Sequence, residues 1–166
     1  MNETYKVQVQ GLVDDLKAVF THAGLGGEAG EYKLLTQSFL YKFLNDKFLY
    51  QAKMLDESNT YENLLAMSEE DYDWLLEDIG TSTAWLKPDQ LIETLHRQQN
   101  EPNFYETFEN TLNQIAIDNN DIFSVHTDGD TAIRLFDERL ITDTISDSSK
   151  RNEVAKAIIN LLARVK

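Results

Sequence analysis

The chain has 166 residues, of which 42% are hydrophobic and 27% are charged, and this composition is typical of a single globular domain. It contains no cysteine, which excludes disulfides and thiolate chemistry and fits a reducing, cytoplasmic setting. No apolar run reaches the length of a membrane span, and the first residues lack the apolar segment of a secretory signal, so we expect no membrane partner.

The formal net charge of −14 argues, at first sight, against nucleic-acid binding, because phosphate contacts need Lys and Arg. The charge is unevenly distributed, however. Residues 56–80 contain nine acids and no Lys or Arg, whereas residues 151–166 contain four bases and one acid, Glu153. A local basic face is therefore compatible with DNA or an acidic partner. The alternative is that the acidic stretch is simply a solvated surface.

The first half of the chain predicts two helices joined by glycines. Helical spacing of apolar residues extends over 4–22, and a glycine-rich segment follows at 24–30. The next helix is predicted over 31–55, where apolar side chains recur in two i, i+4 rows. One row contains Leu35, Phe39, Phe43, Tyr50 and Met54, and the other contains Leu40, Leu44, Phe48 and Leu55. Two rows cover most of the circumference, so we expect a long, central and nearly buried helix.

The second half predicts shorter helices. Ser68 is a suitable N-cap for a helix that ends at Gly80. Asn103 is a suitable N-cap for a later helix that contains Phe108 and Leu112. Between them, Pro88 suits the first turn of a helix ending near Asn100. Residues 122–135 predict either a small β-hairpin on an Asp-Gly turn or a loop. Ser148 or Ser149 then caps a last amphipathic helix over 152–165.

These elements predict a mainly α fold, in which a compact multi-helix bundle surrounds one long central helix. We expect a single helical domain over 1–166.

No motif predicts an active site. The glycine-rich segment follows a helix rather than a strand and lacks the G-K-[ST] sequence of a P-loop, so a helix connection is favoured, although the next helix's N-terminus offers N–H groups to an anion. An EF-hand with Gly129 at its sixth position would have Ser124 first and Leu135 last, which excludes it. The three histidines lack zinc spacing, and G-x-S-x-G is absent. We therefore predict no catalytic, cofactor-binding or metal-binding residue.

Three segments resemble the N-terminal helical domain of the modification (methyltransferase, M) subunit of type I restriction–modification systems. They are QGLVDDLKAVFTHAG with the glycine-rich joint, EYKLLTQSFLYKFLNDKFL, and SKRNEVAKAIINLL. The resemblance implies that the chain is the N-terminal fragment of an adenine-specific DNA methyltransferase subunit that uses S-adenosylmethionine. The N-P-P-Y-type catalytic motif of that family is absent, because the only prolines, Pro88 and Pro102, are not adjacent. Methyl transfer and cofactor binding would then belong to the parent protein.

The same resemblance implies a non-catalytic role in closing the enzyme around DNA and in assembly. The implied partners are the specificity subunit, a second modification subunit, the restriction subunit and DNA. We expect phosphate or partner contacts from five basic residues, which are Lys33, Lys42, Lys47, Arg151 and Lys156. The alternative for these residues is ordinary solvation. The alternative function, suggested by the acidic charge, is an acidic protein-interaction module or DNA-mimic regulator.

Overall fold

The structure is a computed structural model that describes residues 3–120, 125–126, 132–133 and 136–165. The described residues form eight α-helices, one 3-10 helix at Pro88–Gln90 and one pair of short strands. The predicted mainly α fold is therefore confirmed. The helices are α1 (Glu3–His22), α2 (Ala29–Leu55), α3 (Tyr61–Ala66), α4 (Glu69–Ile79), α5 (Ile92–Arg97), α6 (Phe104–Asp118), α7 (Leu140–Thr144) and α8 (Ser148–Arg164).

The strands are β1 (Val125–His126) and β2 (Ala132–Ile133). They pair antiparallel, with Val125 opposite Ile133 and His126 opposite Ala132. This pair falls within the segment for which the sequence allowed a hairpin or a loop. The predicted Asp-Gly turn at 128–129 lies outside the described residues.

Two glycines make the joint between α1 and α2 possible. Gly24 and Gly27 have φ of +90° and +77°, which are left-handed values that other residues adopt only with strain. The N–H of Gly27 donates to Glu31 Oε2 at 2.7 Å, so a carboxylate from the first turn of α2 holds the joint. The glycine-rich segment is therefore a helix connection.

The long helix α2 packs against α1, α4, α7 and α8. At about 1.5 Å per residue it extends over about 40 Å. Its buried side chains form one stripe, in which Tyr41 meets Phe108 edge-to-face with ring centroids 6.3 Å apart. Two turns further, Phe48 stacks on Tyr72 of α4 at 6.4 Å. This stripe consists of Leu34, Ser38, Tyr41, Leu44, Asn45, Phe48 and Ala52.

The last helix, α8, brings the two halves of the chain together, since it packs against α1, α5 and α6. Its N-cap is Asp147, whose carboxylate accepts from Ser149 N at 3.0 Å, so the predicted Ser148 or Ser149 cap is wrong by one residue or two. Asn103 occupies the N-cap position of α6, as predicted, but its side chain makes no capping hydrogen bond. Instead Asn152 of α8 accepts from Tyr105 N at 3.0 Å. The Ser68 cap is confirmed by Asp71 N, which donates to Ser68 Oγ at 3.1 Å.

Candidate interaction surface

The most unusual surface of the described protein lies on α2, opposite its buried stripe. Phe43, Tyr50 and Met54 are 58%, 61% and 66% exposed, and Tyr32, on the same side, is 72% exposed. Each of the first three follows a buried residue (Tyr41, Phe48 or Ala52) by two positions. Two residues turn a helix by about 200°, so these side chains point away from the core. We call Tyr32, Phe39, Phe43, Lys47, Tyr50 and Met54 the outer face of α2.

The outer face corrects the expectation that the long helix is nearly buried. The row that runs from Leu35 to Met54 was expected inside, yet none of its residues is fully buried. Leu35 and Phe39 are partly covered at the margin of the core. The periodicity identified a second apolar stripe correctly, but no described element covers its C-terminal half.

The lysines of α2 differ in how their charge is used. The helix carries four lysines and two acids, Glu31 and Asp46. Lys33 pairs with Asp137 at 2.8 Å, and the hydrogen bond to this carboxylate raises the pKa of Lys33. Lys47 and Lys53 make no ion pair with any described residue. Instead Lys47 Nζ lies 5.7 Å from the centroid of the Phe43 ring. The outer face therefore combines exposed apolar groups with a lysine that pairs with no acid among the described residues.

Two of the other predicted contact residues stabilise helix ends. Lys42 is mostly buried, pairs with Asp46 at 3.2 Å and donates to the backbone oxygen of Val165, just past the end of α8. Arg151 donates to Ile145 O at 2.8 Å and to Thr142 O at 3.3 Å, which satisfies carbonyls at the end of α7. Its guanidinium also lies 5.8 Å from the centroid of the Tyr105 ring. Positive charges at these helix C-termini interact favourably with the negative end of the helix dipole.

The five predicted basic residues do not form one patch. Arg151 lies in the first turn of α8, whereas Lys42 contacts Val165, just after the last turn of the same helix. Positions 151 and 165 are about 21 Å apart along α8, at about 1.5 Å per residue. Lys156 is half-buried and makes no ion pair within the described part of the chain. Only Lys47 lies on the outer face. Lys53 was not predicted as a contact residue, although its position between the apolar residues Tyr50 and Met54 was a signal for it.

A groove adjoins the C-terminal half of the outer face and has a volume of about 400 Å³. Tyr50 and Lys53 line it on the α2 side, and apolar side chains that include Leu91 and Leu162 line it from α8 and the segment before α5. Asn45 holds its wall in place, because Asn45 Oδ1 accepts from Ile92 N at 2.9 Å. The groove and the outer face thus form one continuous surface.

The acidic stretch forms a second distinctive surface. All nine acids between residues 56 and 80 are exposed. Within α4 they surround Trp74, which is 61% exposed. Glu62 pairs with Arg97. This placement agrees with a solvated acidic face, which was one of the two interpretations of the sequence.

The two buried tyrosine hydroxyls, of Tyr41 and Tyr72, each have a backbone partner. Tyr41 Oη donates to Gln90 O at 2.6 Å, and Tyr72 Oη donates to Leu86 O. Burial raises the pKa of both hydroxyls, so neither is an acid or base near neutral pH. Within the described ranges no three His, Asp or Glu side chains are placed to hold a metal ion.

The chain matches no family model, and neither the curated proteins nor the solved structures give a match to it. Among the described helices, none is both long and apolar enough to cross a lipid bilayer.

Proposed function

We propose that the chain is the non-catalytic N-terminal domain of the modification subunit of a type I restriction–modification system, an adenine-specific DNA methyltransferase of the cytoplasm. Its role would be to assemble the enzyme and to help close it around DNA. The observation that carries the proposal is the outer face of α2, because a stripe of exposed aromatic residues and methionine is typical of a surface that another protein covers.

The arrangement of the three resembling segments also supports the proposal. They correspond to α1 with the glycine joint, to α2, and to α8. These three helices pack against one another in the fold. The resemblance therefore falls on one connected substructure rather than on scattered pieces.

The glycine-rich segment lacks the preceding strand of a glycine-loop cofactor site. The glycine-rich segment connects two helices, and Glu31 already accepts the Gly27 N–H. A nucleoside cofactor bound through a glycine loop needs that loop after a strand. We therefore propose that S-adenosylmethionine binds elsewhere in the parent protein.

For the partners, we propose the specificity subunit and the second modification subunit as direct contacts, with the restriction subunit joining the larger complex. DNA contact would depend on lysines whose charge is uncompensated. Lys47 meets this requirement, and Lys156 makes no ion pair with the described residues. Lys33, Lys42 and Arg151 are engaged within the protein, so their replacement would perturb the fold as well as any DNA contact.

The test combines two measurements. Co-expression with the specificity and second modification subunits should give a stable complex by size-exclusion chromatography with light scattering. Calorimetry of the isolated chain with S-adenosylmethionine should show no binding. A complex that forms equally well without this chain, or micromolar cofactor binding by the chain alone, would contradict the proposal.

A second function, an acidic regulator that mimics DNA, is favoured by the nine exposed acids of residues 56–80. Such a regulator should inhibit a DNA-binding enzyme in competition with DNA, with an affinity that falls as salt is added. Charge-neutral replacements of Glu69, Glu70 and Asp73 would abolish that inhibition. They would leave assembly through the outer face of α2 unchanged.

A further inference from the structure

The C-terminal half of the outer face has the dimensions of a contact between two helices. Phe43, Tyr50 and Met54 follow one another at spacings of seven and four residues, so they form a straight line along α2. From the first to the last they extend over about 16 Å, or three helical turns. All three are more than half exposed, and nothing described in the chain covers them.

The adjoining groove gives this surface a concave side. Tyr50 belongs to both, Lys53 lines the groove, and Leu49, Leu91 and Leu162 contribute apolar lining. The two carboxylates in the groove, of Asp46 and Glu93, pair with Lys42 and Arg97. A side chain inserted there would be enclosed by α2, by the segment before α5 and by the end of α8. Buried anchors of this kind supply most of the affinity at protein interfaces.

The charge of the surface selects among occupants. Lys47 and Lys53 flank the apolar line without an ion pair to any described residue, although the whole chain carries −14. A second copy would bring its own −14, and long-range repulsion disfavours it. DNA offers no apolar side chains to the line of Phe43, Tyr50 and Met54. A helix that presents apolar side chains between carboxylates matches both features of the surface.

We propose that the outer face of α2 and its groove bind an acidic amphipathic helix of a partner protein. The apolar side chains of this helix would contact Phe43, Tyr50 and Met54, and its Asp or Glu side chains would pair with Lys47 and Lys53. The proposal rests on the proposed function only in that the partner is sought first among the subunits of that assembly.

The first experiment uses the subunit complex and two charge-reversal variants. Lys47→Glu with Lys53→Glu should weaken assembly at least about tenfold, because each buried charge pair would become a repulsion. The matched control, Lys6→Glu with Lys17→Glu, makes the same change in net charge at two exposed positions of α1. It should change the affinity less than about twofold, since those lysines lie away from the contact. If the two double variants weakened assembly equally, the proposed pairing of Lys47 and Lys53 with partner carboxylates would be overturned.

A second pair of variants tests the apolar contact. Phe43→Ala should weaken assembly, whereas Trp74→Ala should not, although the two aromatic side chains are almost equally exposed at 58% and 61%. A photo-crosslinker at position 50 should join the chain to a partner peptide that is both amphipathic and rich in Asp and Glu. Crosslinks to a basic or non-helical segment, or to DNA, would overturn the proposal.

A peptide experiment separates this inference from the proposed function. The probes are two synthetic helices of about 18 residues, a length that favours helix formation, with leucines along one face and either glutamate or lysine beside them. The glutamate peptide should bind at least about tenfold more tightly than the lysine peptide and should shift the NMR signals of Tyr50 and Lys53. Binding without subunit assembly would refute only the proposed function. Assembly with no preference between the peptides would refute only the acidic helix.

Discussion

The side chain of Asn119 pairs with both backbone groups of Trp85, 34 positions earlier in the chain. Asn119 Oδ1 accepts from Trp85 N at 2.7 Å, and Asn119 Nδ2 donates to Trp85 O at 2.9 Å. The same Nδ2 group also donates to Ile115 O at 2.8 Å. Asn119 is 1% exposed, so the end of α6 holds an irregular segment through an amide that water does not reach.

Asn119→Ala should therefore lower the free energy of unfolding by about 1–3 kcal/mol, because the partly buried N–H and C=O of Trp85 lose their partner. Urea denaturation followed by circular dichroism measures the change. Asn110→Ala is the matched control, since Asn110 is exposed on the same helix, and it should change stability by less than about 0.5 kcal/mol. Similar losses in both variants would show that the pairing contributes little.

Glu109 connects α6 to the start of α7. Its carboxylate accepts from Ile141 N and Thr142 N at 3.0 Å each and from Thr142 Oγ1 at 2.6 Å. Glu109→Gln replaces one of these acceptor oxygens with a donor and should cost about 1–3 kcal/mol of stability. Hydrogen exchange should become faster at the amides of residues 141 and 142. Glu101→Gln, at an exposed position, provides the comparison, and unchanged exchange in Glu109→Gln would contradict the assignment.

The buried hydroxyls of Tyr41 and Tyr72 predict loss of stability in alkali. Burial raises the pKa of both in the folded state, whereas in the unfolded chain they titrate near pH 10. Their contribution is complete below that pH. Above that pH only the unfolded state releases the protons. The contribution of each group to the free energy of unfolding therefore falls by about 1.4 kcal/mol per pH unit.

Denaturation between pH 9 and pH 11 should show this decline, and it should be shallower in Tyr41→Phe. Absorbance of tyrosinate at 295 nm provides an independent measurement, since these two residues should ionise only as the protein unfolds. Full titration of all tyrosines while the helical signal persists would rule out the assignment.

Ser38 lies in the buried stripe of α2, and its Oγ has no hydrogen-bond partner among the described residues. A buried hydroxyl without a partner is unfavourable, and alanine is the better helix former. Ser38→Ala should thus raise the free energy of unfolding, by up to about 1 kcal/mol. Thermal and urea denaturation would measure the gain. A loss of stability would mean that the hydroxyl makes a favourable contact.

Parts of the architecture followed directly from sequence patterns. The glycines at 24–30 and the capping Ser68 marked helix ends because their preferences are local. The hydrogen-bond partner of Tyr105 N, in the first turn of α6, could not be predicted in this way. This partner is Asn152, which lies 47 residues further along the chain. The role of Arg151 was missed for the same reason, because its carbonyl partners appear only when α7 folds against α8.

The candidate surface was half predictable. Lys47 was selected for its charge, and Phe43, Tyr50 and Met54 were recognised as an apolar row. Their exposure was not predicted, because a periodic pattern shows that a face is apolar without showing what covers it. The groove beside them could not be predicted from the sequence either, because its walls come from separate parts of the chain.

By itself, the sequence determined that the described chain is mainly helical, where its longest helix lies, and that this helix carries two apolar stripes. These properties depend on spacings within one helix. Tertiary structure alone decided which stripe became core and which lysines became paired. The reason is physical: burial and ion pairing depend on distances between segments far apart in the chain, and α1, α4, α7 and α8 approach α2 from the side of Tyr41 and Phe48.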